Sequence, residues 1–151
     1  KIKVDYPTEK EELEIMRRMS RTGSKPVLQP VVSPEKVLAA REVINEIYID
    51  EKVEQYIIDL VFATRQPENV GLKDLESLIS FGASPRATIN LNLASRAHAF
   101  MEHRAYVTPE DVRTIAMDVL RHRIIPTFEA EAEDISPEDI IETILSSIQV
   151  P

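Results

Sequence analysis

The sequence predicts an all-α fold, a small helical bundle with one short strand at its amino end. Two observations carry this expectation. A single start signal, a hydroxyl residue followed by proline and an acid, recurs at Ser33-Pro34-Glu35, Thr108-Pro109-Glu110 and Ser136-Pro137-Glu138. Behind each copy, apolar residues repeat at three- and four-residue spacing, the period of one helix face. The signal suits a helix N-terminus for physical reasons. The hydroxyl accepts a bond from an orphan N–H, proline has no N–H to leave unbonded, and the acid meets the positive end of the helix dipole.

The elements follow in order. Lys1 to Tyr6 alternates charged residues with Ile2, Val4 and Tyr6, a period-two strand pattern that Pro7 stops. Thr8 with Glu11 fits a capping box, and Leu13, Met16 and Met19 give the helix that follows one apolar stripe. Gly23 to Val32 holds Pro26 and Pro30 without helical period and reads as an extended connector. The helix from Ser33 carries Val37, Ala40, Ile44 and Ile47. Asp50 caps another, with Val53, Ile57, Leu60 and Val61 inward, ending near Arg65 and Pro67. Leu72 to Phe81 reads as a short helix before Gly82. Pro85 to about Arg104 is apolar on more than one side (Ile89, Leu91, Leu93, Ala97, Phe100), as a central helix of a bundle tends to be. Val112, Ile115, Ala116 and Val119 mark the next helix, and Ile140, Ile141, Ile144, Leu145 and Ile148 the last. Between these two, Phe128 to Asp134 is acidic and reads as a linker.

Composition removes several function classes. With 26 acids against 18 bases in 151 residues the net charge is -8, which disfavours a phosphate-backbone interface and a polybasic membrane anchor. No apolar run approaches the ~20 residues that cross a bilayer, and Lys1 to Asp5 lacks a secretory apolar stretch. The absence of cysteine excludes disulfides, a thiolate zinc site and a cysteine nucleophile. Gly23, Gly71 and Gly82 lie far apart, so neither a Walker-type loop nor a dinucleotide fingerprint exists here. His98, His103 and His122 form no helical metal pair and read as ordinary surface or boundary residues; no metal ligand set is expected.

One start signal breaks the pattern. In Ser84-Pro85-Arg86 the third residue is a cation, which opposes the helix dipole by roughly 0.3–1 kcal/mol where exposed. Either Arg86 reaches an acid elsewhere or points into solvent, or it is there to meet an anion, which the guanidinium fork and the N-terminal amides would bind together. Composition leaves the two readings about even.

A resemblance bears on that choice. Phe81-Gly82-Ala83-Ser84-Pro85-Arg86-Ala87, a long helix, Tyr106-Val107-Thr108-Pro109-Glu110-Asp111-Val112 and then Leu120-Arg121-His122-Arg123-Ile124 resemble the carboxy-terminal part of MoxR-type AAA+ ATPases. The similarity reaches forward to Val150-Pro151 and back to Lys1 to Pro7, which resembles the last strand of the AAA+ core. It implies a lid domain without its core: residues 1–32 as the end of the core and a connector, 33–128 as the helical lid, 129–151 as an acidic linker and terminal helix. In the family the Walker motifs, first sensor and arginine finger lie before the point where this chain begins. The lid supplies the second sensor, an arginine at a helix start near the nucleotide's terminal phosphates. Arg86 matches that position, with Ser84 and Pro85 beside the nucleotide.

The resemblance further implies a cytoplasmic ring ATPase, a hexamer, that couples ATP binding and hydrolysis to chaperone-like maturation or remodelling of other proteins. ATP and Mg2+ would be held mostly by the core. Implied partners are that core, neighbouring subunits and von Willebrand factor A-type proteins, without nucleic acid or membrane insertion. The chain alone is expected neither to hydrolyse ATP nor to hold it tightly. Arg121 and Arg123 follow a helix, where cations meet the dipole's negative end, and Arg65 has the same explanation. The rival reading is a stand-alone acidic helical module that binds a basic partner. The unpaired strand at the amino end is odd for such a module and natural for a piece of a larger protein.

Overall fold

The structure, a computed structural model, describes residues 1–20, 22–23 and 27–151. It is a helical bundle. Among the described residues there are seven α-helices: α1 (Glu9–Met19), α2 (Pro34–Asn45), α3 (Glu51–Ala63), α4 (Pro85–Met101), α5 (Pro109–Leu120), α6 (Phe128–Ala132) and α7 (Pro137–Ser147). None of them is long and apolar enough to cross a membrane.

The start signals work as their chemistry dictates. Ser33, Thr108 and Ser136 sit in extended conformation at the caps of α2, α5 and α7, and each side chain accepts an N–H from the first turn. Thr8 and Glu11 close a reciprocal capping box on α1, and Asp50 accepts the Lys52 N–H at the start of α3. The stripes of α3, α5 and α7 then converge. Val53, Tyr56, Ile57, Leu60 and Val61 of α3 meet Val112, Ala116 and Val119 of α5 and Ile140, Ile141, Ile144 and Leu145 of α7 in one core. Each leucine buried as fully as Leu60 or Leu91 contributes about 1.5–3 kcal/mol relative to solvent.

Helix α4 packs against α2, α3 and α5, and in that sense is central. Its inward face is narrower than the sequence suggests: Ala87, Leu91, Ser95 and Ala99, one residue per turn, are the buried ones, whereas Ile89, Leu93 and Met101 are exposed. Small residues on that line let the neighbouring helices approach closely. Two side chains reinforce the packing. Arg96 donates to the Asn45 carbonyl at the end of α2 (2.8 Å), and Arg113 of α5 donates to Leu145 O of α7 (2.6 Å) and to the Tyr56 hydroxyl of α3 (3.3 Å).

Three expectations need correction. Leu72–Phe81 is not a helix. Two 3₁₀ turns (Pro67–Val70 and Lys73–Leu75), the first closed by Gly71 in left-handed conformation, lead into strand β1 (Ile79–Phe81). That strand pairs antiparallel with β2 (Ile125–Pro126), and Thr127 fixes the pair by donating to the carbonyls of Leu78 and Ser77. A distant partner thus overrides the local apolar spacing. The acidic stretch after β2 is not all linker, since Thr127 caps the short helix α6 and buries Ala130. Finally, Lys1 to Tyr6 is not a strand. No neighbouring strand among the described residues takes up its backbone groups, and Ile2, Val4 and Tyr6 are exposed. Helix α1 likewise buries none of its stripe. Of the connector expected over Gly23 to Val32, Ser24, Lys25 and Pro26 lie outside the described residues.

Candidate functional site

The turn from β1 into α4 is built on the end of α3. Thr64, fully buried at the C-cap of α3, donates its hydroxyl to Val61 O (2.7 Å) and accepts the Ala83 N–H on the same oxygen (2.9 Å). Gly82 lies directly against Thr64. A Cβ at position 82 would stand 2.1 Å from the Thr64 carbonyl oxygen and 2.7 Å from Cγ of Arg65. Only glycine allows the two backbones to come so close, and this contact sets where Ser84, Pro85 and Arg86 begin α4.

That beginning is unlike the others in the chain. Ser84 occupies the cap position in extended conformation, yet its hydroxyl takes no bond from the helix, whereas Thr8, Ser33, Asp50, Thr108, Thr127 and Ser136 all do. No acid stands in the first turn. Arg86 is exposed, and no carboxylate among the described residues pairs with it. Of its backbone groups, the carbonyl accepts Asn90 Nδ2 at 2.6 Å. A guanidinium, an uncommitted hydroxyl and the positive end of a 17-residue helix therefore face solvent at one corner. Donors of this kind fit one side of a phosphate. They do not fit a divalent cation, and no group of three His, Asp or Glu side chains among the described residues is placed to hold one.

The other singled-out cations are spoken for. Arg121 donates to Met117 O (3.1 Å) and pairs with Asp118 (3.1 Å) and Glu138 (3.7 Å), while Arg123 donates to Val119 O. Both close the carbonyl end of α5, the role their place after a helix suggests. Burial and the neighbouring Arg123 charge hold the His122 imidazole below its ordinary pKa. Arg65 lies over the Phe62 ring, 4.2 Å from its centroid.

The strongest polar cluster escaped the sequence reading. Asp111 is 1% exposed inside the bundle. Its carboxylate accepts the Thr108 N–H (2.7 Å) and hydroxyl (2.9 Å), both Nη atoms of Arg104, one at 2.8 Å, and Nδ1 of His98 at 2.6 Å. Burial would raise the pKa of Asp111. Arg104, Thr108 and His98, bonded to the charged form, outweigh burial and hold it well below the carboxylate range. His103 helps by adopting a left-handed conformation at the end of α4, which turns the chain so that Arg104 reaches back to α5. His98 is thus a packing residue between two helices. The available signal was Thr108 followed three residues later by Asp111, a capping box whose acid faces the core. With its oxygens so fully occupied, the cluster ties α4 to α5 and has little left to offer a ligand.

Comparison with known proteins finds relatives that match along the whole chain. Residues 73–144 match the AAA lid domain family. Chaperone MoxR1 of Mycobacterium tuberculosis is 39% identical over 151 residues, covering 100% of this chain and 40% of that protein. Protein MoxR of Paracoccus denitrificans is 38% identical over 103 residues, 64% of this chain and 30% of that one. A crystal structure of a candidate ATPase from Cytophaga hutchinsonii superposes with a TM-score of 0.91 at 48% identity, over 98% of this chain and 45% of that one. The chain therefore spans less than half the length of these relatives.

Proposed function

Because the chain carries an AAA lid domain of the MoxR type, we propose that it acts as the second-sensor lid of an AAA+ ATPase, with Arg86 as the sensor. The observation that carries the reading is the start of α4, where an exposed arginine and an unbonded cap hydroxyl stand in place of the acid and capping bond used at α5 and α7. ATP with Mg2+, bound mostly by an AAA+ core, would supply a terminal phosphate whose charge and position change on hydrolysis. Arg86 would neutralise that charge through its guanidinium fork, and Ser84 and the first free N–H of α4 would flank it. The strength of this contact depends on which phosphates are present, so the angle between lid and core follows the nucleotide state. The helices then move together, because Asp111, Arg113 and Arg96 fasten α4, α5, α7 and α2 to one another. In a ring of such subunits, hexameric and cytoplasmic as in the family resemblance, that swing would drive remodelling or maturation of client proteins, those with von Willebrand factor A-type domains among them.

Substituting Arg86→Ala in the complete ATPase tests the sensor role. Turnover should fall about a hundred- to a thousandfold, as when one donor to a developing anion is removed, while the helical circular dichroism is unchanged. Unaltered turnover together with unaltered nucleotide affinity would refute it.

A further inference from the structure

Thr64, at the end of α3, has a place in the fold that its packing does not require. A threonine at a helix C-cap is commonly satisfied by a bond to its own helix, and Thr64 makes that bond to Val61 O. The same hydroxyl oxygen also accepts the Ala83 N–H across 19 residues of chain, with both groups fully buried. The interaction is directional at both ends. The hydroxyl proton is committed to Val61, so the oxygen lone pair points at one place, and that place is the amide three residues before Arg86. Gly82 lies against the Thr64 carbonyl, so the turn is held by a hydrogen bond and a steric stop on the same residue.

We infer that Thr64 is a positioning residue for Arg86: its hydroxyl fixes the direction in which α4 leaves the turn, and hence the direction in which the arginine is presented. The inference rests on the second-sensor reading of Arg86 for its catalytic consequence, but not for its geometry. Loss of the hydroxyl leaves the buried Ala83 N–H without a partner and frees the turn to rotate about the Gly82 contact. The isosteric Thr64→Val makes that change with almost no change of volume, and Thr64→Ser keeps the hydroxyl.

Two measurements separate a positioning role from a merely structural one. The first uses this chain, which has no cysteine. Nitroxides on the exposed positions of an Arg86→Cys, Glu142→Cys variant report the distance from the start of α4 to the outer face of α7. Adding Thr64→Val should broaden or shift that distance distribution, and adding Thr64→Ser should leave it as it was. An unchanged distribution in Thr64→Val overturns the inference, whatever the ATPase does. The second uses the complete ATPase. Thr64→Val should lower kcat about three- to tenfold, with recovery in Thr64→Ser, and should cost nothing further once Arg86 is alanine. The same loss repeated in full in the Arg86→Ala background assigns Thr64 to stability alone and overturns the inference. If Arg86→Ala by itself leaves turnover intact, the sensor reading fails, and the nitroxide distances alone decide whether Thr64 aims position 86.

Discussion

Helices α4 and α5 begin with the same three-residue grammar and use it for opposite ends. At α5, proline and Glu110 take the first turn, Thr108 and Asp111 cap each other, and Asp111 continues inward to hold His98 of α4 and Arg104 just beyond its end. All the capacity of that helix start is spent inside the protein. At α4, Ser84 and Pro85 repeat the pattern, but the hydroxyl bonds nothing in the helix, the acid is replaced by Arg86, and the donors face outward. A fully satisfied start adds stability, while a start left unsatisfied on the surface keeps its hydrogen bonds for something else. The turn feeding α4 is, by contrast, anchored on the fully buried Thr64. Rigidity sits immediately beneath the exposed groups rather than in them.

The contrast can be broken by substitution. The largest effect is expected under α4, where Gly82→Ala places a Cβ 2.1 Å from a backbone oxygen that has no freedom to withdraw. A loss of about 3 kcal/mol in urea unfolding is expected, at the upper range for overpacking. A change below half a kcal/mol would mean the contact between Gly82 and Thr64 is loose. Next is Asp111→Asn, which leaves Arg104 facing a neutral partner. Because Arg104 and His98 keep some access to water, about 2 kcal/mol is expected rather than the full cost of splitting a wholly buried pair. The same carboxyl sets a pH dependence. Its pKa is lowered in the folded state, so its contribution is complete above the unfolded value of about 4 and is lost as pH falls through the lower folded value. Acid titration of the unfolding midpoint should therefore fall more steeply below about pH 4 in the native chain than in Asp111→Asn. Parallel slopes would remove Asp111 as the cause. The smallest and sharpest test compares one substitution at two starts. Thr108→Ala should cost about 1 kcal/mol, the usual worth of a cap, and Ser84→Ala only a tenth or two, since no capping bond is lost. Equal costs would erase the distinction between the two helices.

The sequence was informative where structure is decided locally. Hydroxyl-proline pairs and Asp50 marked where helices begin, and the stripes of α3, α5 and α7 marked the core, because capping and burial each depend on residues within a turn or two. It was uninformative where the decision lies far away. Leu72, Leu75 and Ile79 have plausible helical spacing, but the partner that turns Ile79–Phe81 into a strand is Ile125–Pro126, in a separate part of the chain. The strand pattern at Lys1 to Tyr6 fails for the complementary reason, as alternation makes no strand without a neighbour. At the α4 corner, the odd charge of Arg86 was visible, but the idle hydroxyl of Ser84 was not, since its letters match those of caps that do bond. Asp111 was legible as the acid of a capping box with Thr108, but not as a buried one; its burial emerges from the way α4 and α5 pack.

The close approach of Gly82 to the end of α3 has a mechanical meaning. A force applied at the start of α4 meets backbone atoms already at contact distance, with no flexible side chain between them to give way. Such a joint has low compliance, so a push on the corner is passed to the end of α3 by backbone rather than taken up by a side chain. From there it spreads across a 13-residue lever instead of dissipating as local rattling. A larger residue would act as a cushion if the fold could admit it, so the smallest side chain in the protein is what makes this part of the molecule stiff.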